Sequence, residues 1–453
     1  MKRKLTKMEY VYVASMLFGM FFGAGNLIFP IAMGQNAGSN IWTAFIGLLI
    51  TGVGLPLLGV AALGISRSTG LYDLSCKAGK PYGMFFTCLL YMTIGPFFAI
   101  PRCATVSFTV GLERLFPETE HGALLLLVFS AVFFGAALYF SLRPGKILTW
   151  IGKILNPFFL LFLGVLVVVA MLSASTSVAD AEPLGGYAES PFFTGFLEGY
   201  NTMDALASLA FGIVVVQVIK DLGVSEPSAV AGNTVRSGIF SCSLMGVIYL
   251  AVAVVGAQSR GVVEPAANGG VAFAEIAELY LGKAGLIILA LTFTLACLKT
   301  AVGLITSCSE TFAAIFPKGP KYSVWVIIFS LVSFGFANFG LSAIIEYSVP
   351  VLMFLYPLAI ALILLALFGK LFNHAKEVYA WTIGFTFFGA VYDLFRSLPE
   401  SVRGFLHINT PLDFIGRMLP FSSVGLGWVC PAALGALIGI IVYLVNKKKK
   451  AAA

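Results

Sequence analysis

Twelve apolar runs, each long enough to cross a hydrocarbon core, restrict this chain more than any other feature. They fall at about 9–33, 41–65, 82–112, 122–140, 147–172, 192–219, 231–257, 285–315, 322–340, 343–369, 378–398 and 420–446. Only 11% of residues are charged and 59% are hydrophobic. A soluble surface needs more charge than that, since soluble chains run near about a quarter charged. A backbone in lipid must satisfy its own hydrogen bonds, which leaves helices for runs of this length. The expected fold is an all-α integral membrane protein with about 12 transmembrane helices.

Orientation follows from the basic residues. With the spans alternating from an inside start, 20 of the 28 Lys and Arg fall on ends and loops of one side, and six on the other. Arg102 and Lys299 lie within spans. This bias places both termini in the cytoplasm. The outer connection 173–191 agrees, with Asp180, Glu182 and Glu189 and no basic residue. The net charge of +7 therefore reflects topology, and no nucleic-acid partner is expected. The basic start before the first run reads as the cytoplasmic flank of a helix; the run is longer than a signal-peptide core and lacks a clear small-residue cleavage site. The end, "KKKKAAA", reads as a solvated tail.

Several chemistries find no support. The seven cysteines include no Cys-x-x-Cys pair, the three histidines are peripheral, and no Walker A pattern occurs. No metal site, cofactor or ATP-driven pump is expected. No span carries the nucleophile–base or metal constellation of an intramembrane enzyme.

The informative residues are the polar ones at mid-depth. The first span contains "GAGN" (23–26) followed by Pro30; the sixth contains Asn201, Asp204 and Ser208; the eighth contains Lys299 and Thr300. Glycine and proline are tolerated inside spans when the freed backbone groups find other partners. Spans 1 and 6 are five apart, so a five-helix unit repeated in inverted orientation would bring their irregular stretches together, the sequence mark of a transporter site. A half-helix starting after Gly25 would aim free amides at an anion such as a carboxylate, while carbonyls left over would hold a cation. A mid-membrane lysine costs about 2.5–3.5 kcal/mol on insertion scales, so Lys299 needs a partner or a cavity. Asp204 is the candidate charge partner. Arg102 reads as a gate or packing residue, and Glu346 as facing water near the start of span 10.

"FFGAGNLIFP", "GPFFAIPR", "TMDALASLAFG", "LACLKTAVGLITSCSE" and "SVPVLMFLYPLAI" together resemble the bacterial branched-chain amino acid:cation symporters, the liv-II carriers called BrnQ. The likeness runs through spans 1, 3, 6, 8 and 10. It implies a LeuT-type fold of two inverted five-helix repeats (1–180 and 181–370), two further helices (371–446) and a basic tail (447–453). It also implies leucine, isoleucine or valine as substrate, a coupling cation (H+ or Na+), no cofactor, and a multi-pass place in the bacterial inner membrane.

Carried over residue by residue, the resemblance places Ala24 and Gly25 at the substrate carboxylate, with Asn26 orienting the turn or touching a cation. It aligns "SLAFG" with the break in span 6. Ala205, Ser208 and Ala210 would then lie at the substrate amine, and Phe211 would form an apolar wall. A sodium between helices 1 and 8 would take the carbonyls of Gly19, Phe22 and Ala296, with two hydroxyls at positions 299 and 300. Thr300 fits that pattern and Lys299 departs from it. Lys299 would then be a tethered cation replacing sodium, and the carrier proton-coupled or sodium-independent. The competing account keeps sodium, bound around Asn26 and helix 6. A second departure is Thr109, where the family leads one to expect an acidic residue. A channel or a membrane amino-acid receptor is the reading from another class; a channel would need a continuous polar stripe, whereas these polar residues concentrate at one depth.

Overall fold

The computed structural model describes residues 5–66, 68, 70–116, 121–146, 148–173 and 177–452. Lys2, Arg3, Lys4 and Arg67 of the charge count lie outside the described residues. All twelve expected runs are helical. The first span is α1 (Lys7–Phe21) and α2 (Gly25–Ala37); the second is α3 (Ile41–Leu49) and α4 (Leu55–Ser66). The third is α5 (Lys80–Met92) and α6 (Ala99–Val110), the fourth α7 (Gly122–Ser141), and the fifth 148–155 with α8 (Asn156–Ser173). The sixth is α9 (Pro191–Asn201) and α10 (Asp204–Asp221), followed by α11 (Pro227–Ser259) and α12 (Gly269–Ile315). The last four are α13 (Tyr322–Ala337), α14 (Leu341–Phe368), α15 (Lys376–Arg396) and α16 (Val429–Ala452). Among the described residues, ten helical stretches are long and apolar enough to cross a bilayer. The difference from twelve has two causes: α2 runs on into the second span as one stretch, and α13 is a shorter apolar helix.

The ends and breaks follow local chemistry. Thr6 caps α1 by accepting from the Glu9 amide, while the Glu9 carboxylate accepts from the Thr6 amide. Between α1 and α2 the chain unwinds over Phe22, Gly23 and Ala24, where the sequence places its glycines. The third span is interrupted at Gly95–Pro96, with Gly95 at φ −88, ψ −122. Proline has no amide hydrogen to continue the ladder there. In α12, Gly282 (φ +59) separates a shorter preceding helix from the spanning part.

The break in span 6 corrects the sequence expectation. It falls at Thr202–Met203, not at "SLAFG"; Met203 is left-handed (φ 62, ψ 9) and α10 starts regularly at Asp204. No glycine or proline marks the position, so the sequence carried no signal for it.

The interrupted spans sit at the centre. α2 packs on α11, α9 on α3, and α10 on α4, while α6 and α8 pack on α12. α15 and α16 pair with each other, α15 leaning on α14.

Candidate functional site

Asn26, in the first turn of α2, and Asp204, at the start of α10, meet across the two breaks. The Asn26 amide group donates to Asp204 Oδ2 at 2.6 Å, and its oxygen accepts from the Gly23 amide at 2.8 Å. Tyr249 of α11 donates to the same Asp204 oxygen at 2.7 Å and also receives the Asn26 amide group. Low local dielectric makes such a buried network stiff when its members are satisfied.

Beside this network lies a small cavity of about 30 Å³. Gly23, Ala24, Gly25, Asn26, Thr202 and Asp204 form its polar side; Met20, Phe21, Ile94, Ala99 and Leu304 are among its apolar walls. A water needs roughly 10–15 Å³ by such a measure. The cavity therefore holds about two waters and is closed to an amino acid side chain in this conformation.

Two opposed poles border it. The amides of Ala24, Gly25 and Asn26 have no oxygen partner among the described residues, so the positive end of α2 faces the cavity. The C-terminal carbonyl of α9 comes from the other side, and Arg102 of α6 donates to it: Nη1 lies 2.9 Å from Asn201 O. Arg102 is 4% exposed and lines the cavity.

The remaining expected residues divide. Ala205 is buried with its carbonyl taken by Ser208 Oγ at 2.7 Å, and Ser208 packs against Gly59 of α4. The Ala210 carbonyl accepts from Tyr91 and Ser307 at 3.0 and 2.7 Å. Phe211 stands behind the wall, its ring 5.5 Å from Phe21. None of these four lines the cavity; Ala207 of the same helix does. With the break five residues earlier than expected, they belong to regular helix.

Lys299 is fully buried at the junction of spans 1, 5 and 8. Its Nζ donates to Asn156 Oδ1 at 3.0 Å and sits 3.5 Å from the Phe159 ring centroid, with Phe18 at 5.9 Å. Asn156 in turn donates to Ser15 Oγ at 2.8 Å, and a side chain on Gly19 would touch it. Asn156 was missed, although an asparagine inside an apolar run is the signal that could have found it. The expected Lys299–Asp204 pair is not formed; Asp204 bonds instead to Asn26 and Tyr249, and its charge feels Arg102. Thr300 turns to the other side of α12, lines the cavity and donates to the Met20 carbonyl at 3.1 Å. Phe22 stacks on Phe18 (5.1 Å) near Phe159, and Ala296 is buried on α12. Thr109 lines a separate cavity with Glu113 and Arg114, and Glu346 is exposed. Among the described residues no cluster of His, Cys, Asp and Glu fits a metal ion.

Comparison with known proteins agrees with this architecture. A family model described as "branched-chain amino acid transport protein" matches residues 6–446. The branched-chain amino acid permease BrnQ of Lactobacillus delbrueckii subsp. lactis is 50% identical over 449 residues, covering 99% of this chain and all of the relative. The permease BraB of Bacillus subtilis is 39% identical, covering 98% of this chain and 97% of the relative. Among solved structures, the chain is similar to Mhp1, a nucleobase-cation-symport-1 family transporter in a closed conformation (TM-score 0.60, 14% identity, 97% and 93% covered). It is also similar to MhsT in complex with L-phenylalanine (TM-score 0.57, 16% identity, 98% and 99% covered). Those likenesses show the LeuT fold, and the near full-length matches show the rest: the chain belongs to the BrnQ-type branched-chain amino acid transport family.

Proposed function

We propose that this transporter imports leucine, isoleucine or valine by alternating access, with the Lys299 ammonium in place of a sodium ion. In this reading the protein sits in the bacterial inner membrane with both termini cytoplasmic, and the two inverted repeats cover 1–180 and 181–370. Substrate binds at the closed cavity after it widens. The amides of Ala24 and Gly25 take the carboxylate; the Thr202 carbonyl and the Asp204 carboxylate take the ammonium; Met20, Phe21, Ile94 and Leu304 surround the branched side chain. A mostly apolar pocket with a few convergent polar groups suits that cargo.

The observation that carries the coupling is the place of Lys299. Its ammonium is wedged between spans 1, 5 and 8, held by Asn156 and the Phe159 ring. Meanwhile the Thr300 hydroxyl is spent on the Met20 carbonyl. A resident positive charge there repels a second cation, and a proton loaded on and released from Lys299 supplies the coupling.

Purified protein in liposomes tests this, with labelled leucine taken up under an imposed proton gradient or an imposed sodium gradient. Uptake driven by protons and indifferent to sodium is expected. Sodium-dependent uptake overturns the coupling and leaves Lys299 structural. Lys299→Met is expected to lose about 1–3 kcal/mol of stability, the cost of leaving the buried Asn156 Oδ1 without its donor. It should exchange leucine yet no longer concentrate it.

A further inference from the structure

Arg102 is a buried cation inside the cavity that the reading above assigns to substrate, and no part of that reading uses it. Its Nη1 is held by the Asn201 carbonyl at 2.9 Å. Phe29 covers one face of the guanidinium, with the ring centroid 5.3 Å away. Nε and Nη2 have no hydrogen-bond partner among the described residues. The Nη2 side points at Gly25, where an added Cβ would come within 3.1 Å. A guanidinium presents donors along its edges in a fixed fork. Here one edge is anchored, one face is covered, and another edge is left beside the Gly25 amide, which has no oxygen partner among the described residues.

Two positive poles, a helix N-terminus and a guanidinium, are thus aimed at one point. Like poles are placed together at a cost unless an anion joins them. Asp204 interacts with the Arg102 charge but directs its Oδ2 to Asn26 and Tyr249. A second cavity of about 390 Å³, lined by Glu189, Glu198, Leu352 and Met353, also has Asn201 in its lining.

We propose that Arg102 is a substrate-binding residue: its free edge takes the carboxylate of the amino acid together with the Gly25 amide, while Nη1 remains on Asn201. Carboxylate recognition is then shared by side chain and backbone, and Arg102 is what makes the site select α-amino acids over amines of the same shape. The proposal rests on the substrate site assigned above.

The test is equilibrium binding of leucine and of leucinamide, which keeps the side chain and ammonium but lacks the carboxylate. It uses the purified full-length protein. The native protein should prefer leucine strongly. In Arg102→Gln, leucine binding should weaken by about 10- to 100-fold, the range for hydrogen bonds to a charged group, with leucinamide binding little changed. Arg102→Lys keeps the charge without the fork and should fall between; it also serves if the glutamine variant does not fold. An unchanged leucine-to-leucinamide ratio in the folded variants overturns the proposal. So does an equal loss of both ligands, which a purely structural or gating role would give. Gly25→Ala separates the two readings. If it abolishes leucine binding while Arg102→Gln does not, the site stands and the role of Arg102 falls. If neither variant affects leucine, the site assignment itself falls.

Discussion

Asn26 and Asp204 each lie in the first turn of a half-helix that follows a break, and the hydrogen bond between them joins the two interrupted spans. Both residues stood out in the sequence because a polar side chain deep in an apolar run is costly. Their pairing did not, since 178 residues separate them. The same limit applied to Lys299. Its cost was legible, but its partner Asn156 is 143 residues away and lies on span 5, outside the irregular spans that drew attention. Asp204 also allows a charge-only test. In Asp204→Asn, an amide oxygen can still accept from Asn26 and Tyr249, so thermal stability should drop by no more than about 1 kcal/mol. If the carboxylate faces the substrate ammonium, leucine affinity should fall by about 10-fold or more, as for a lost charge-assisted hydrogen bond. Titration calorimetry and a thermal melt on the same sample separate the two effects. Unchanged affinity would make Asp204 a structural residue.

At the scale of elements, the sequence was most readable where glycine or proline marks a discontinuity. The first break lies where "GAGN" places it. The third-span break carried its own mark, "GP", yet the apolar run around it read as continuous. The sixth-span break had no mark, because a methionine there takes a left-handed conformation that costs roughly 1–2 kcal/mol and only the surrounding packing enforces it. Glycine does a second job in the seams between helices. A Cβ on Gly256 of α11 would overlap the Ile31 carbonyl of α2, and one on Gly34 of α2 would overlap the Ala253 carbonyl of α11. The two backbones therefore touch, which holds α2 in place over the cavity. Close approach through small residues is how membrane helices gain packing. Gly256→Val should push the seam apart, destabilising the protein by about 1–3 kcal/mol and weakening leucine binding. Gly164→Ala, on α8 with nothing within 4 Å of the added carbon, should be neutral or slightly stabilising. Melting temperatures of the two variants in detergent check the contrast; equal effects would mean the seam is not what positions α2.

For the molecule as a whole, hydropathy and charge bias were enough to read twelve helical runs, because the bilayer leaves few alternatives to a helix of that length. What they did not contain was conformational state. The central cavity, about 30 Å³, is too small for a branched-chain amino acid, so the site proposed above requires other conformations in which it opens. Such states are drawn from a pre-existing ensemble, and a ligand shifts the populations by its differential affinity. Cys103 of α6 offers a reporter: it is buried and lines the closed cavity beside Arg102. In a variant whose other six cysteines are replaced, a small thiol reagent should modify Cys103 only during opening, so the rate tracks the open population. Leucine that closes the site around itself should slow the modification, whereas leucinamide, which cannot engage a carboxylate contact, should protect far less. Labelling that is fast and indifferent to leucine would mean that the cavity is open in the resting protein. Labelling slowed equally by both ligands would mean that closure is driven by the side chain and ammonium alone.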